Sequence, residues 1–593
     1  MLVVNRGRPI HKVCHLQLPQ LSGALERREI AVSEATQTAA QLLVDCLKEQ
    51  GTDRIFTVPG ESFLAVLDAL HESSDIETVV CRQEGGAAFM ACADGAMSAG
   101  GECLRPGVAF VTRGPGATNA SIGVHVAHQD SQPMILFIGD VARPMRDREG
   151  FQEVNFEAFF GPIAKWAARI DDPARVPEYI ARAYSVAISG RPGPVVLALP
   201  EDMLCDLVPA SIKPRPRVNR PAQAVCPDAM QALHAMLADA ASPIAIIGGA
   251  GWNAKAREQF ASFAESIGLP VATAFRRQDA ISPDSPVYAG NLGYGPNPKL
   301  VERVKNADLV LAVGARLGEA TTDGYSFPRI DDPHQLLIHV HPDPNEIGRV
   351  YLTELGMPCA VDEFAEAAAL WDDHEVIPFD AGAEAHAEWL EWATYQPKDN
   401  PPALDMAACV TAMRAALPAD TIICNGAGNF SSWWHRYWRY TALPTQLAPT
   451  AGAMGYGVPA SVAAALRYPD RNVVAVAGDG DFLMNGQELA TAAQYGVNLL
   501  VLVVDNGAYG TIRMHQEREY PARVSGTQLS NPDFAALGAA FGGWSATATT
   551  TREFTDALAE AQSRSGLRVI HMKIDVEQLA ASGATVSGLR ARG

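Results

Sequence analysis

The sequence predicts an α/β protein built as three consecutive doubly wound parallel-sheet domains. Two observations carry that prediction. In three separate stretches, short apolar runs end at glycine-rich turns and give way to helical patterns, and proline-rich or polar segments part the stretches from one another. A length of 593 residues also exceeds what one hydrophobic core supports, since domains of roughly 100–200 residues call for about three or four of them.

In chain order, residues 1–35 read as an N-terminal arm, with scattered Arg, His and Lys and without the unbroken apolar core of a secretory signal. The first domain, 36–208, contains GVAFVTRGPGATNA (107–120) and PMILFIGDVA (133–142). The connector PASIKPRPRVNRPAQ (209–223) comes next, and its prolines favour an extended spacer. The second domain, 226–375, contains SPIAIIGGAGWN (242–253), ADLVLAVGARLG (307–318) and QLLIHVHPDP (335–344). A second polar linker, YQPKDNPPALD (395–405), leads into the third domain, 403–580. That domain holds TIICNGAGNFSSW, RNVVAVAGDGDF, NLLVLVVDNGAYG and LRVIHMKID, and it repeats the style of the first without obvious sequence identity.

Composition narrows the function. A net charge of −20 without a basic block repels a phosphate backbone, so no nucleic-acid partner is expected. No window approaches the 18 or more continuous apolar residues of a membrane span, so no membrane partner is expected either. Ten cysteines without a CxxC pair read as reduced, mostly buried thiols, which points to the cytoplasm and away from a zinc site.

The stretch VVAVAGDGDFLMNGQ (473–487) sets Asp479 between Gly478 and Gly480 at the end of a buried strand. A helical segment, 485–497, leads to the buried strand LLVLVV, which ends at Asp505-Asn506-Gly507. A right-handed βαβ unit brings both strand tips to one sheet edge, so Asp479 and Asn506 converge there, 27 residues apart in sequence. An Asp oxygen, an Asn carbonyl and a nearby backbone carbonyl make a hard-oxygen set suited to Mg²⁺, and the glycines let an anion approach the backbone. GDG alone reads as a tight turn, and the pairing with Asn506 is what lifts it above one.

This GDG-to-Asn stretch resembles the thiamine diphosphate motif of the superfamily of acetolactate synthase, pyruvate oxidase and benzaldehyde lyase, and the resemblance runs from about residue 36 to 580. It implies pyrimidine-binding, central and diphosphate-binding domains, and a Mg²⁺ ion held by Asp479, Asn506 and the backbone carbonyl of Ala508. Gly478, Gly480, Asp481, Ala508 and Tyr509 then face the cofactor. In GAMGYGVPAS (452–461), Gly452 and Met454 match the segment that props the cofactor into a bent form, although Met454 alone reads as core. In NGAGNFSSW (425–433), Gly428 and Asn429 match the loop around the diphosphate, although a helix N-cap explains them equally.

The resemblance also reaches the first domain. Glu84, in CRQEGGAAFMA, reads alone as a solvated helix start but matches the catalytic glutamate, whose hydrogen bond to the pyrimidine ring favours the imino tautomer. Gln152 is then placed near the reacting carbonyl, with Phe151, Gly60 and His515 on the substrate side. His125 and His128, one helical turn apart, match no family motif and are read as non-catalytic. Glu84 and Asp479 would reach one cofactor from different subunits, so a homodimer or homotetramer with its site at the subunit interface is implied.

The implied activity is thiamine diphosphate-dependent decarboxylation of a 2-oxo acid with carboligation, acetolactate synthase-like. Two departures keep a non-flavin lyase of the benzaldehyde lyase or benzoylformate decarboxylase type as the alternative. His515 stands where acetohydroxyacid synthases have a tryptophan, and Ala320, in GARLGEA, stands where they have an arginine. Asp481 is a third departure, since relatives have Ser or Gly there, and it either assists the metal or faces solvent. The turn GGAGWN (248–253) leaves FAD open as a second cofactor. A non-catalytic cofactor-binding subunit is disfavoured because a scaffold has no need of Glu84.

Overall fold

The computed structural model describes residues 35–98, 104–331, 334–370 and 379–591. Apart from Ala35, the N-terminal arm lies outside them. Three six-stranded sheets, all parallel, succeed one another along the chain. The first runs in the order Glu77–Val80, Arg54–Thr57, Gly107–Val111, Met134–Asp140, Pro194–Pro200, Trp166–Arg169. The third runs Gln446–Leu447, Ile422–Asn425, Val473–Gly478, Leu499–Asp505, Leu567–Lys573, Trp544–Ala548. Counted along the chain within each sheet, both orders are 2-1-3-4-6-5, so the likeness of style between these domains is a shared topology. The central sheet is wound 3-2-1-4-5-6 instead, from Tyr288–Asn291 to Leu355–Met357.

The strands Met134–Asp140 and Val473–Gly478 are buried at every residue, as near-continuous apolar runs require when helices cover both faces. Helices Glu84–Ser98 and Gly457–Arg467 pack the first domain on the third around one apolar cluster, with Phe89 edge-on to Tyr456 at 5.5 Å. The connector 209–223 is extended yet anchored: buried Gln50 donates from Nε2 to the carbonyls of Arg215 and Pro216 and accepts the Val218 N–H.

Two outer boundaries differ from the sequence reading. Helix Ala381–Ala393 packs on strand Tyr288–Asn291 of the central sheet, past residue 375. Helix Val586–Arg590 docks on helix Gly510–Glu519, past residue 580, because Arg590 donates twice to buried Glu517. Neither segment shows a long apolar run, so periodicity offers no reason to attach it. Among the described residues no helix is long and apolar enough to cross a membrane.

Candidate functional site

Strands Val473–Gly478 and Leu499–Asp505 are parallel neighbours, with Gly478 opposite Val504, so Asp479 and Asn506 leave the sheet side by side. The intervening helix starts earlier than the sequence suggests. It begins at Asp479 itself, runs to Asn485, breaks into a single tight turn at Gly486–Glu488 and resumes as Leu489–Gln494. Asp479 therefore ends a strand and opens a helix at once.

A cavity of about 240 Å³ lies over this edge. Asp479, Asn506 and Ala508, beside the two strand ends, form its floor, and Gly428, Asn429, Gly452 and Met454 line its walls. Gly478, Gly480, Asp481 and Tyr509 complete it, together with Ile574, Gln578 and Leu579 from the C-terminal segment. Two glycines are required by close approach: a Cβ on Gly480 would lie 2.5 Å from the Tyr509 ring, and one on Gly428 would lie 2.6 Å from the Phe430 ring. Gly452 takes a left-handed backbone, φ +68°, where a side chain would be strained.

The floor is held by groups that no sequence pattern marks. Asn531 donates from Nδ2 to Asp479 Oδ2 at 2.7 Å and to Asp505 Oδ1 at 2.8 Å. Asp505 Oδ2 in turn meets buried His571 Nε2 at 2.8 Å. Burial pushes the Asp479 carboxyl up against the bonds from Asn531 and the Gly480 N–H, and neighbouring Asp505 adds to the rise. Burial acts on Asp505 too, but the bonds from His571, the Gly507 N–H and Asn531 outweigh it and hold that carboxyl low. Asn506 Oδ1 accepts the Ala508 N–H at 3.1 Å, which leaves its second lone pair.

Asp481 does not face solvent. It is 3% exposed, its Oδ1 accepts the N–H groups of Gly455 at 2.7 Å and Ala427 at 3.4 Å, and its Oδ2 is buried without a partner. Burial raises this carboxyl to about 7.

The remaining sequence-derived residues lie elsewhere in the chain. Glu84 opens helix Glu84–Ser98 on the edge of the first sheet, where Asn119 Nδ2 donates to its Oε2 at 3.0 Å. Gly60 belongs to the same edge: a Cβ there would press on Thr112, which also abuts Gly116 beside Glu84. Gln152 has φ +65° and its carbonyl accepts the Gly114 N–H at 2.9 Å, while Phe151 is 73% exposed. None of Gly60, Glu84, Phe151 and Gln152 lines the cavity, and neither does His515, which is exposed on helix Gly510–Glu519. Glu488 ties the two edges together, because this fully buried carboxylate of the third domain accepts the N–H groups of Arg82 and Gln83 just before Glu84.

A second cavity, about 350 Å³, opens where the three domains meet, and Gly249, Arg277, Arg316 and Ala320 line it with His125. His128 nearby is held down to about 4 by burial and by Arg191 and Arg316, so it is neutral at physiological pH. Among the described residues no cluster of His, Cys, Asp and Glu has the make-up of a zinc site.

Residues 37–159 match the thiamine pyrophosphate enzyme N-terminal TPP binding domain, 230–368 the central domain and 426–572 the C-terminal TPP binding domain. The acetolactate synthase large subunit of Parasynechococcus marenigrum is 32% identical over 540 residues, covering 86% of this chain and 82% of its own. The isozyme 2 large subunit of Escherichia coli is 30% identical over 90% of this chain and 95% of its own, and the large subunit of Lactococcus lactis is 29% identical over 86% and 88%.

Proposed function

This chain belongs to the thiamine pyrophosphate enzyme family, and from that premise we propose that it decarboxylates a 2-oxo acid and joins the acyl group left behind to a carbonyl acceptor, as an acetolactate synthase-like carboligase. The observation that carries the reading is the floor of the cavity. Asp479 is a buried carboxylate raised by burial and by neighbouring Asp505, and it stands beside an asparagine oxygen with a lone pair to give. A hard divalent cation such as Mg²⁺ satisfies both, and Gly428 and Gly480 line the same cavity, where a diphosphate would lie.

Thiamine diphosphate, when bound, supplies a carbon nucleophile that also takes up the electron pair released with CO₂. The rest falls to this chain. Asp479, Asn506 and the Ala508 carbonyl would hold the metal, and Gly428 and Asn429 would approach the diphosphate. Met454 would press on the cofactor from the cavity wall and exclude water there. Glu84 would hold a proton at the pyrimidine ring nitrogen, and Gln152 would donate to the substrate carbonyl. Glu84 lies on a different edge from the cavity of its own chain, so we assign it to the cavity of a second copy and take a homodimer as the smallest active unit.

Trp433 lines the cavity, so titration with thiamine diphosphate and Mg²⁺ should quench tryptophan fluorescence saturably. With pyruvate the loaded protein should release CO₂ and form acetolactate. Absence of saturable quenching would overturn the reading. Release of free aldehyde instead would favour the lyase alternative, which His515 and Ala320 support by standing where acetolactate synthases carry a tryptophan and an arginine. The absorbance spectrum decides the flavin: a flavin band assigns the second cavity to FAD, and a colourless protein assigns the chain to the non-flavin branch.

A further inference from the structure

The wall of the cavity that carries Met454 is a loop, Pro449 to Gly455, between strand Gln446–Leu447 and helix Gly457–Arg467. It has few means of holding itself. Its one internal backbone bond runs from the Gly452 N–H to the Pro449 carbonyl at 3.0 Å, and Gly452 is exposed. Its position is set from outside, by charged groups from three domains.

At the N-terminal end, Asp130 of the first domain closes helix Gly114–Asp130 and reaches across with both carboxylate oxygens. Oδ1 accepts the Thr450 hydroxyl at 2.7 Å and the Ala451 N–H at 2.9 Å, and Oδ2 accepts the Thr450 N–H at 3.0 Å. Beside it, Arg276 of the central domain is 4% exposed and has a left-handed backbone, φ +60°. Its Nη1 donates to the Pro449 carbonyl at 2.5 Å and its Nη2 to the Gly426 carbonyl at 3.1 Å. At the C-terminal end, Asp481 accepts the Gly455 N–H, and Asn485 Nδ2 donates to the Gly455 carbonyl at 3.0 Å. Met454 thus sits between two clamped ends.

The charges also explain one another. Burial lowers the Arg276 guanidinium to about 10, and the charges that oppose the fall most are Asp130 and then Asp481. Removing the Asp130 carboxylate would leave the buried Arg276 guanidinium less compensated, which is costly. Such a set holds a geometry more firmly than neutral groups would.

We propose that Asp130, Arg276 and Asp481 are positioning residues that fix Met454 against the metal edge, so that each domain of the chain contributes one charge to the shape of the cofactor cavity. The proposal rests on the reading that this cavity holds thiamine diphosphate. None of the three needs to touch the reacting atoms. Their influence passes through the loop, and a displacement of about 1 Å at a reacting centre costs on the order of 100-fold in rate.

The test is a double-mutant cycle in the full-length protein between Asp130→Asn and Met454→Ala, read by kcat, by the affinity for thiamine diphosphate with Mg²⁺, and by near-ultraviolet circular dichroism of the bound cofactor. Asp130→Asn should lower kcat roughly 10- to 100-fold with less than about 3-fold change in affinity, and should alter the dichroism as Met454→Ala does. The double variant should lose little beyond Met454→Ala alone. Multiplying losses with unrelated spectra would overturn the proposal. If Asp130→Asn does not fold, Thr450→Val removes a single donor to the same carboxylate and should move kcat and dichroism in the same direction; an unchanged spectrum there would also overturn it. Failure of the wild-type protein to bind thiamine diphosphate with Mg²⁺ would instead defeat the underlying reading, which keeps the two failures apart.

Discussion

The first and third domains share one strand order, yet their sheet edges present opposite chemistry. The third encloses a cavity whose acids, Asp479 and Asp481, are 3% exposed and pushed upward by burial. The first offers Glu84 half-buried on an edge of its own, with one side-chain bond to Asn119. On the reading proposed above, one topology yields a receptor in one domain and a tool in the other, and the difference lies in the residues next after the strand. In the third domain a carboxylate and an amide come directly after neighbouring strands. In the first, the strand end Val111 gives way to Thr112 and Arg113, and the acid comes four residues after the end of another strand, at the first turn of a helix.

The sharpest way to break this contrast is to remove each acid in turn. Glu84→Gln should lower turnover by roughly 10²- to 10⁴-fold while fluorescence titration still shows cofactor binding, because a tool is lost and the receptor is intact. Asp479→Ala should do the reverse, weakening binding of thiamine diphosphate with Mg²⁺ by about 100-fold or more. A Glu84→Gln protein that no longer binds the cofactor would show that the two edges are not divided in this way.

How much of this was legible in the sequence depends on the range of the contacts. The pairing of Asp479 with Asn506 could be read because a parallel βαβ unit must bring two strand ends together, and the two strands and the helical segment between them show in the apolar pattern. Asn531 could not be read. It lies in an irregular loop, 26 residues past Asp505, and reaches the floor only because that loop folds back over the edge. Arg276 was hidden for a stronger reason, since it comes from another domain and nothing local in AFRRQD marks a charge that will be buried. Asp481 was visible as a departure, but its direction depended on Gly426, whose missing side chain makes the space: a Cβ there would lie 2.1 Å from Asp481 Oδ1. Glu488 likewise reads as an ordinary helical glutamate until the first domain packs against it.

Asn531 sharpens the receptor side. It fixes one oxygen of the carboxylate proposed to hold the metal and shares its amide with Asp505, so Asn531→Ala should weaken Mg²⁺-dependent cofactor binding by roughly 10- to 100-fold and leave the melting temperature of the cofactor-free protein nearly unchanged. Calorimetric titration measures the first and thermal denaturation the second. Unaltered affinity would remove Asn531 from the site.

The smallest expected effect concerns pH and the buried Asp481 of the receptor edge. Asp481 has its carboxyl raised to about 7 in the fold, above the 3.8 of an ordinary aspartate, because burial disfavours the charge. The folded state therefore binds that proton more tightly than the unfolded state, and the stability this contributes is complete below about 3.8 and is lost as pH rises through about 7. Asp481→Asn keeps an oxygen for the Gly455 N–H and removes the ionisation. Relative to the wild type, the cofactor-free variant should gain stability between those pH values, on the order of 2 kcal/mol by neutrality, read as a difference in denaturant midpoints. Parallel pH profiles for the wild type and Asp481→Asn would mean that the receptor edge does not confine its charge, and the contrast between the two edges would then reduce to geometry alone.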